Sequence, residues 1–171
     1  MKKTLFSKIR LIAAAGLLAI ASFAYAGALT DAAENKLADA VLRGQALGAP
    51  TTGHVGILTA CPTDSTAGTE VTGGSYARVA VTSSLANWSG TQGAGTTVAS
   101  SGTGGTILNN NAITFPAPTA NWGTITCWGI YDSASGGVLW IYAPLTVNKT
   151  VNNGDAAPSF APGAATFQID N

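Results

Sequence analysis

The distribution of hydrophobic and polar residues divides the sequence into three parts. A continuous apolar run from Leu11 to Ala21 follows a basic start, and residues 31–43 place apolar side chains at helical spacing. Beyond Pro50, short runs rich in β-branched and aromatic residues alternate with clusters of Gly, Ser, Thr, Asn and Pro. These patterns predict, in chain order, an export segment, one helix and a series of β-strands.

The first part has the features of a secretory signal peptide. Its basic residues precede the apolar run, and Ala24-Tyr25-Ala26 fits the small-x-small rule for cleavage. We predict a signal peptide over residues 1–26, cut between Ala26 and Gly27, and an exported protein in the periplasm, outside the cell or on its surface. The alternative is an uncleaved anchor, because uncharged residues continue to Thr30.

The second part predicts a helix from Asp31 to Arg43. Asp31 is a candidate N-cap with Glu34 three residues later, as in a capping box. Arg43 suits the negative end of the helix dipole, and Gly44 suits the left-handed position that ends a helix. The apolar stripe of this helix is narrow, so we expect it to pack on its own sheet or on a neighbouring subunit.

The third part predicts an all-β fold: an antiparallel β-sandwich or jelly-roll-like domain that spans residues 27–171 as a single domain. A hairpin is expected between Tyr131 and Val138, and the prolines are expected outside strand centres. The stronger predicted strands are His54–Ala60, Ala77–Ser83, Ala112–Phe115, Thr124–Tyr131, Val138–Ala143 and Ala164–Ile169; the weaker ones are Leu85–Trp88, Thr96–Ser100 and Lys149–Val151.

Charge and composition exclude several functions. Charged residues make up 9% of the chain, and the leader holds four of the eight basic residues and none of the acidic ones. The remaining chain is therefore mildly acidic, so we expect no nucleic-acid partner and, after cleavage, no membrane partner. His54 is the only histidine and lies near no nucleophile or carboxylate motif, so we predict no enzyme, no catalytic residues, no metal and no cofactor.

Cys61 and Cys127 are the two cysteines. An exported chain meets an oxidising compartment, where such a pair commonly forms a disulfide. The alternative is two separate buried thiols.

The tryptophans fall into two groups. Trp128 and Trp140 lie in strong predicted strands and are expected in the core, whereas Trp88 and Trp122 border loops and are candidate ligand or subunit contacts. The stretch from Ser89 to Gly105 consists almost entirely of small residues. It is either a surface loop that contacts a partner or a flexible connection.

Tyr76 and Arg78 follow the turn residues Gly73 and Gly74 and project together at a spacing of two. Because Tyr and Arg dominate interface hot spots, they are candidate interface contacts. The alternative is structural: Arg78 pairs with a nearby carboxylate such as Glu70.

Several segments together resemble a family of small tailed-bacteriophage virion proteins of the tail-fibre type. The resemblance covers nearly all of residues 29–170. It is carried by residues 29–37 with 43–44, 55–59, 62–64, 70–78, 113–116, 122–126, 129–132, 147–155 and 160–163. It implies a non-catalytic, β-rich structural protein that assembles on a virion.

We therefore predict a non-enzymatic structural protein that acts by assembly and surface binding, as a homo-oligomer or with other virion or surface proteins. If it is phage-encoded, its location is the virion. The alternative is an exported bacterial carbohydrate-binding or surface-adhesion β-sandwich module, with a glycan as partner.

Overall fold

A computed structural model describes residues 18–20, 28–63, 65–103 and 105–169. The predicted signal peptide lies outside the described residues except for Leu18–Ile20, which form a strand. The elements in chain order are β1 Leu18–Ile20, β2 Ala28–Leu29, α1 Asp31–Arg43, β3 Thr52–Ala60, β4 Thr69–Glu70, β5 Val79–Thr82, β6 Thr106–Leu108, β7 Ile113–Thr114, β8 Gly123–Tyr131, β9 Leu139–Val151, β10 Pro158–Phe160 and β11 Thr166–Gln168.

The largest sheet has the order β2-β9-β8-β3-β4, and β5 also pairs with β3. All its pairings are antiparallel. Two short strands pair with β3 on the side away from β8. Strand β5 pairs with residues 52–55, and β4 pairs with Leu58 and Ala60. The turn that joins β8 to β9 forms the predicted hairpin.

Two smaller sheets form the opposite layer: β1-β10-β7 and β11-β6. Among the described strands, only β1 and β10 run parallel. Side chains from both layers meet in one core, in which Trp128 of β8 contacts Phe160 of β10 with ring centroids 5.7 Å apart. The predicted all-β sandwich with one short helix is thus confirmed, and its sheets do not close into a barrel.

Helix α1 begins and ends where the sequence predicts, but its N-cap is Thr30 rather than Asp31. The Thr30 hydroxyl accepts a hydrogen bond from the Ala33 amide and donates one to the Leu139 carbonyl oxygen. A cap at Thr30 moves Glu34 beyond the capping-box position. Gly44 adopts the expected left-handed conformation, with φ of 66°.

Two of the three weaker strand predictions were wrong, and the third, Lys149–Val151, lies in a strand. Leu85–Trp88 forms a turn with one bridge from Trp88 to Asn109, and Thr96–Ser100 contains no strand. Lys149–Val151 is the end of β9, which runs through Pro144. Proline is tolerated there because the β8 register shifts beside it and β2 pairs with β9 only at Ile141 and Tyr142.

Cys61 and Cys127 form a disulfide, as predicted, with Cα atoms 5.2 Å apart. The bond links the end of β3 to the neighbouring strand β8. Cys127 is completely buried, whereas Cys61 lies at the surface.

Asn109 holds the chain around the second layer in place. Its side-chain nitrogen donates to the carbonyl oxygens of Asn111 and Ala161, and its side-chain oxygen accepts from the Ala165 amide, each at 2.8 Å. One buried amide side chain thus satisfies three backbone groups that strand pairing leaves open.

Candidate functional site

The described residues bring the predicted contact residues Tyr76 and Arg78 together with Glu70, at one end of the large sheet. The Arg78 guanidinium donates to both Glu70 oxygens, at 2.7 Å from Nε and 2.6 Å from Nη2. Its Nη1 donates to the carbonyl oxygens of Ser133 and Gly136, each at 2.7 Å. We call Arg78, Glu70, Ser133, Gly136 and Tyr131 the Arg78 network.

Ring contacts complete the Arg78 network. The Arg78 Cζ atom lies 3.4 Å from the centre of the Tyr131 ring, and the Tyr76 hydroxyl donates to Glu70 at 2.7 Å. The Arg78 side chain is only 6% exposed and that of Glu70 22%. Every donor direction of the guanidinium is used or covered, so Arg78 joins the β4–β5 segment to the β8–β9 turn.

Two glycines allow this close packing. A Cβ on Gly56 would lie 2.9 Å from the Tyr131 ring and 3.0 Å from a Glu70 oxygen. Gly74 has a φ of 54°, and a Cβ there would lie 2.9 Å from Trp122 Nε1. Gly56 must therefore be glycine because there is no room for a Cβ. Gly74 must be glycine because there is no room for a Cβ and because its backbone is in the left-handed region.

Trp122 belongs to the same packing. Its side chain is 5% exposed, its Nε1 donates to the Gly74 carbonyl oxygen at 2.9 Å, and its ring meets Tyr76 edge-on with centroids 5.4 Å apart. Tyr76 and Arg78 are half-buried, and the side-chain polar atoms of all three residues have partners within the protein. That these residues contact a ligand or a partner stays a prediction. A cleft of about 340 Å³ is lined by Glu70, Tyr76 and Arg78 and otherwise by small neutral residues.

Burial changes the ionisation of the two tyrosines. Burial, followed by the hydrogen bond to Glu70, raises the pKa of Tyr76, and burial raises the pKa of Tyr131 to about 12. A folded-state pKa above the unfolded value near 10 contributes stability at lower pH, and this stability is lost as pH rises through the folded pKa.

We therefore expect Tyr76 and Tyr131 to stay protonated in the folded protein up to about pH 12 and to ionise together with alkaline unfolding. Ultraviolet difference spectroscopy of tyrosinate, recorded beside circular dichroism, measures this. Ionisation of both tyrosines near pH 10 in the folded protein would contradict this expectation. As a control, the double variant Tyr76→Phe/Tyr131→Phe should lack the tyrosinate signal that appears only with alkaline unfolding.

The second feature is the exposed face of α1. Only Ala33 of this helix is buried, against β9, while Val41 is 72% and Leu42 81% exposed. Together with Leu29, Leu37 and Ala38 they form the α1 face, which lines a groove of about 440 Å³. Its one charged lining residue is Glu34.

Trp88 is half-buried and packs against the core, whereas Trp122, Trp128 and Trp140 are at most 9% exposed. Trp128 and Trp140 lie in the core region, as expected. Trp88 lines a third groove with Leu85, Ser89 and Ser100. Part of the small-residue stretch from Ser89 to Gly105 therefore borders this groove.

Reactive groups are not brought together within the described ranges. His54 lies in β3, between β5 and β8, and does not line the cleft at Arg78, the groove at α1 or the groove at Trp88. No three His, Cys, Asp or Glu side chains among residues 18–20, 28–63, 65–103 and 105–169 could hold a metal ion together. In the same part of the chain, no helix has the length and apolar character to cross a membrane.

Comparison with known proteins identifies the family. Residues 28–168 match the sequence profile described as podophage GP4 fiber I protein gp80. The chain belongs to this podophage fibre family. The match confirms the resemblance to tail-fibre-type virion proteins, and its span leaves out the predicted signal peptide. A search of curated proteins found no match.

Proposed function

We propose that this protein is a non-enzymatic component of a phage fibre and that it assembles with further copies of itself through the α1 face. Membership of a fibre family supports the structural role. The observation that carries the mode of assembly is the α1 face itself, in which Leu37, Ala38, Val41 and Leu42 lie open to solvent beside the half-buried Leu29. A contiguous apolar surface of this kind marks an interaction site.

The Arg78 network supports the same function. A fibre subunit must keep its shape under load, and a side chain that joins two loops through four hydrogen bonds and one cation–π contact makes that end of the sheet rigid. The polar groups of the Arg78 network make contacts within the protein, which fits a structural role for the subunit.

A matched pair of valines tests the assembly. Val41 on the α1 face and Val147 on β9 are 72% and 70% exposed. We expect the wild-type chain to be oligomeric in a light-scattering dilution series and Val41→Glu to weaken association about a hundredfold or more, because it places a charge in an apolar contact. Val147→Glu should leave the mass unchanged.

A wild-type protein that stays monomeric at every concentration would refute the assembly. Equal effects of Val41→Glu and Val147→Glu would refute the α1 face as the contact.

We further propose that residues 1–26 direct export and are removed before assembly. The disulfide supports export, since such bonds persist in oxidising compartments. Removal of β1 would free the β10 edge, residues 158–160, which is a second candidate contact between copies. Intact-mass spectrometry should give a chain that starts at Gly27; an exported chain that retains Met1 would contradict this.

A further inference from the structure

Strand β10 lies in the middle of a small sheet in which one neighbour belongs to the predicted signal peptide. It pairs antiparallel with β7 on one side and parallel with β1, residues 18–20, on the other. All three residues of β10 are buried. The family match covers β10 but begins at residue 28, beyond β1. Removal of residues 1–26 therefore takes away one of the two neighbours of a buried strand.

Within β10, the backbone groups that lose their partners belong to Ser159. Successive residues of a strand direct their N–H and C=O groups to opposite sides. The Phe115 amide donates to the Pro158 carbonyl oxygen at 2.9 Å, so the backbone groups of Pro158 face β7. By alternation, both the N–H and the C=O of Ser159 face β1. Loss of β1 leaves this donor and this acceptor without partners.

The Ser159 hydroxyl is a third polar group at the same position. The residue is completely buried, and its Oγ has no hydrogen-bond partner in the part of the chain that the structure describes. Its register partner in β1 is Ala19, a residue type without a side-chain donor or acceptor. A buried hydroxyl without a partner costs free energy. Strand β1 thus pairs with the backbone of Ser159 but does not satisfy its side chain.

A second copy of β10 supplies partners for all three groups. When two β10 strands pair antiparallel about a two-fold axis at Ser159, the two serines stand directly opposite each other. Because both backbone groups of Ser159 face this edge, the two residues exchange two N–H···O=C bonds, with Cα atoms about 5.5 Å apart. Their side chains lie on the same face of the sheet, so one hydroxyl donates to the other. Pro158 does not interfere, since its backbone nitrogen faces β7.

We infer that β1 is a temporary occupant of the β10 edge: Leu18–Ile20 cover this edge in the uncut chain, and β10 of a second copy takes their place after cleavage. The contact is two-fold, and the sheet of β7 and β10 continues from one copy into the other. This inference rests on the proposed cleavage and names the partner of the β10 edge. No residue of β10 belongs to the α1 face, so the two contacts are separate.

Disulfide trapping tests the two-fold contact. The two cysteines of the chain are bonded to each other, so Ser159→Cys introduces a single free thiol. The Cα separation of about 5.5 Å in such a strand pair lies within the ~4.4–6.8 Å that a disulfide spans. We expect most of the exported, processed Ser159→Cys chain to run at twice the monomer mass on a non-reducing gel after mild oxidation. Val147→Cys, on an exposed position of β9, should run as a monomer.

A chain that cannot be cut tests the part played by β1. Ala24→Phe/Ala26→Phe removes the small residues of the cleavage site. In this background Ser159→Cys should form no covalent dimer, because β1 still covers the edge. Intact-mass spectrometry records the N-terminus of each sample. Equal trapping in cut and uncut chains would overturn the inference.

Trapping of folded, processed Ser159→Cys no higher than that of Val147→Cys would also overturn it. If Ser159→Cys does not fold, hydrogen exchange of the wild-type chain decides. The Ser159 amide should be protected in the processed oligomer and exchange on dilution, and rapid exchange at every concentration overturns the inference.

The same samples separate the proposals. An oligomer that Val41→Glu weakens, but in which Ser159→Cys is not trapped, refutes only the β10 contact. Trapping at Ser159→Cys together with no effect of Val41→Glu refutes only the α1 face. A processed mass that still includes Met1 refutes the cleavage, and the exchange of partners at β10 with it.

Discussion

Replacing Arg78 with methionine is expected to lower the free energy of unfolding by about 3–4 kcal/mol. The substitution keeps most of the aliphatic volume but leaves the Glu70 carboxylate without its cation and the Ser133 and Gly136 carbonyl oxygens without donors. Breaking one partner of a buried ion pair costs ~3–5 kcal/mol. The 22% exposure of Glu70 places the expected value toward the lower end.

Denaturant unfolding of Arg78→Met beside Arg43→Met measures this. Arg43 forms an ion pair with Asp39 at the surface of α1, where its side chain is 73% exposed, so its loss should cost well under ~1 kcal/mol. Adding Glu70→Gln to Arg78→Met should recover part of the loss, because no unpaired charge then remains. Equal costs for Arg78→Met and Arg43→Met would show that the Arg78 network contributes no more than a surface pair.

The second large effect is expected from the disulfide. Cys61 and Cys127 are separated by 66 positions, and closing a loop of that length stabilises the folded state by about 4 kcal/mol in the chain-entropy model. We expect the double variant Cys61→Ala/Cys127→Ala to lose about this much in denaturant unfolding. Most of the loss arises because the unfolded chain is no longer constrained.

Thiol titration in denaturant provides the control for this experiment. The oxidised wild-type protein should show no reactive thiol, and the reduced protein two. Two reactive thiols in oxidised material would contradict the bond, and a double variant as stable as the wild type would contradict its contribution.

The sequence predicted the long elements and three of the short strands, and it missed β2, β4, β6 and β10 for a physical reason. Helix α1 and strands β3 and β8 have caps, turns or β-branched runs that act locally. Strands such as β4 and β10 contain two or three residues and exist because a distant partner pairs with them. Such pairing depends on the whole fold and leaves little trace in a local pattern.

The site shows the same limit. The sequence allowed two interpretations of Arg78: an interface contact, or an ion pair with a nearby carboxylate such as Glu70. The structure shows the ion pair, between residues that are eight positions apart in the chain. The carbonyl oxygens of Ser133 and Gly136 could not be predicted as its further partners, because the β8–β9 turn reaches Arg78 only after the large sheet has formed. Trp122 is a candidate ligand or subunit contact in the sequence because it borders a loop, and the turn at Gly74 that covers it could not be predicted.

Trp88 borders a polar, small-residue stretch in the sequence, and in the structure its side chain is half-buried beside a groove. What the sequence could not supply was the set of its neighbours. Leu85 lies in the turn before it, whereas Ser100 and Ile107 approach from the far side of the loop.

Quantitative mass spectrometry of purified virions tests the fibre function most directly, using particles produced from the genome that carries this gene. If the protein is a fibre component, the chain should be present at a fixed ratio to the other structural proteins, and washing in high salt should not remove it. Particles that lack the chain, or that carry traces varying from one preparation to the next, would contradict the function proposed for it.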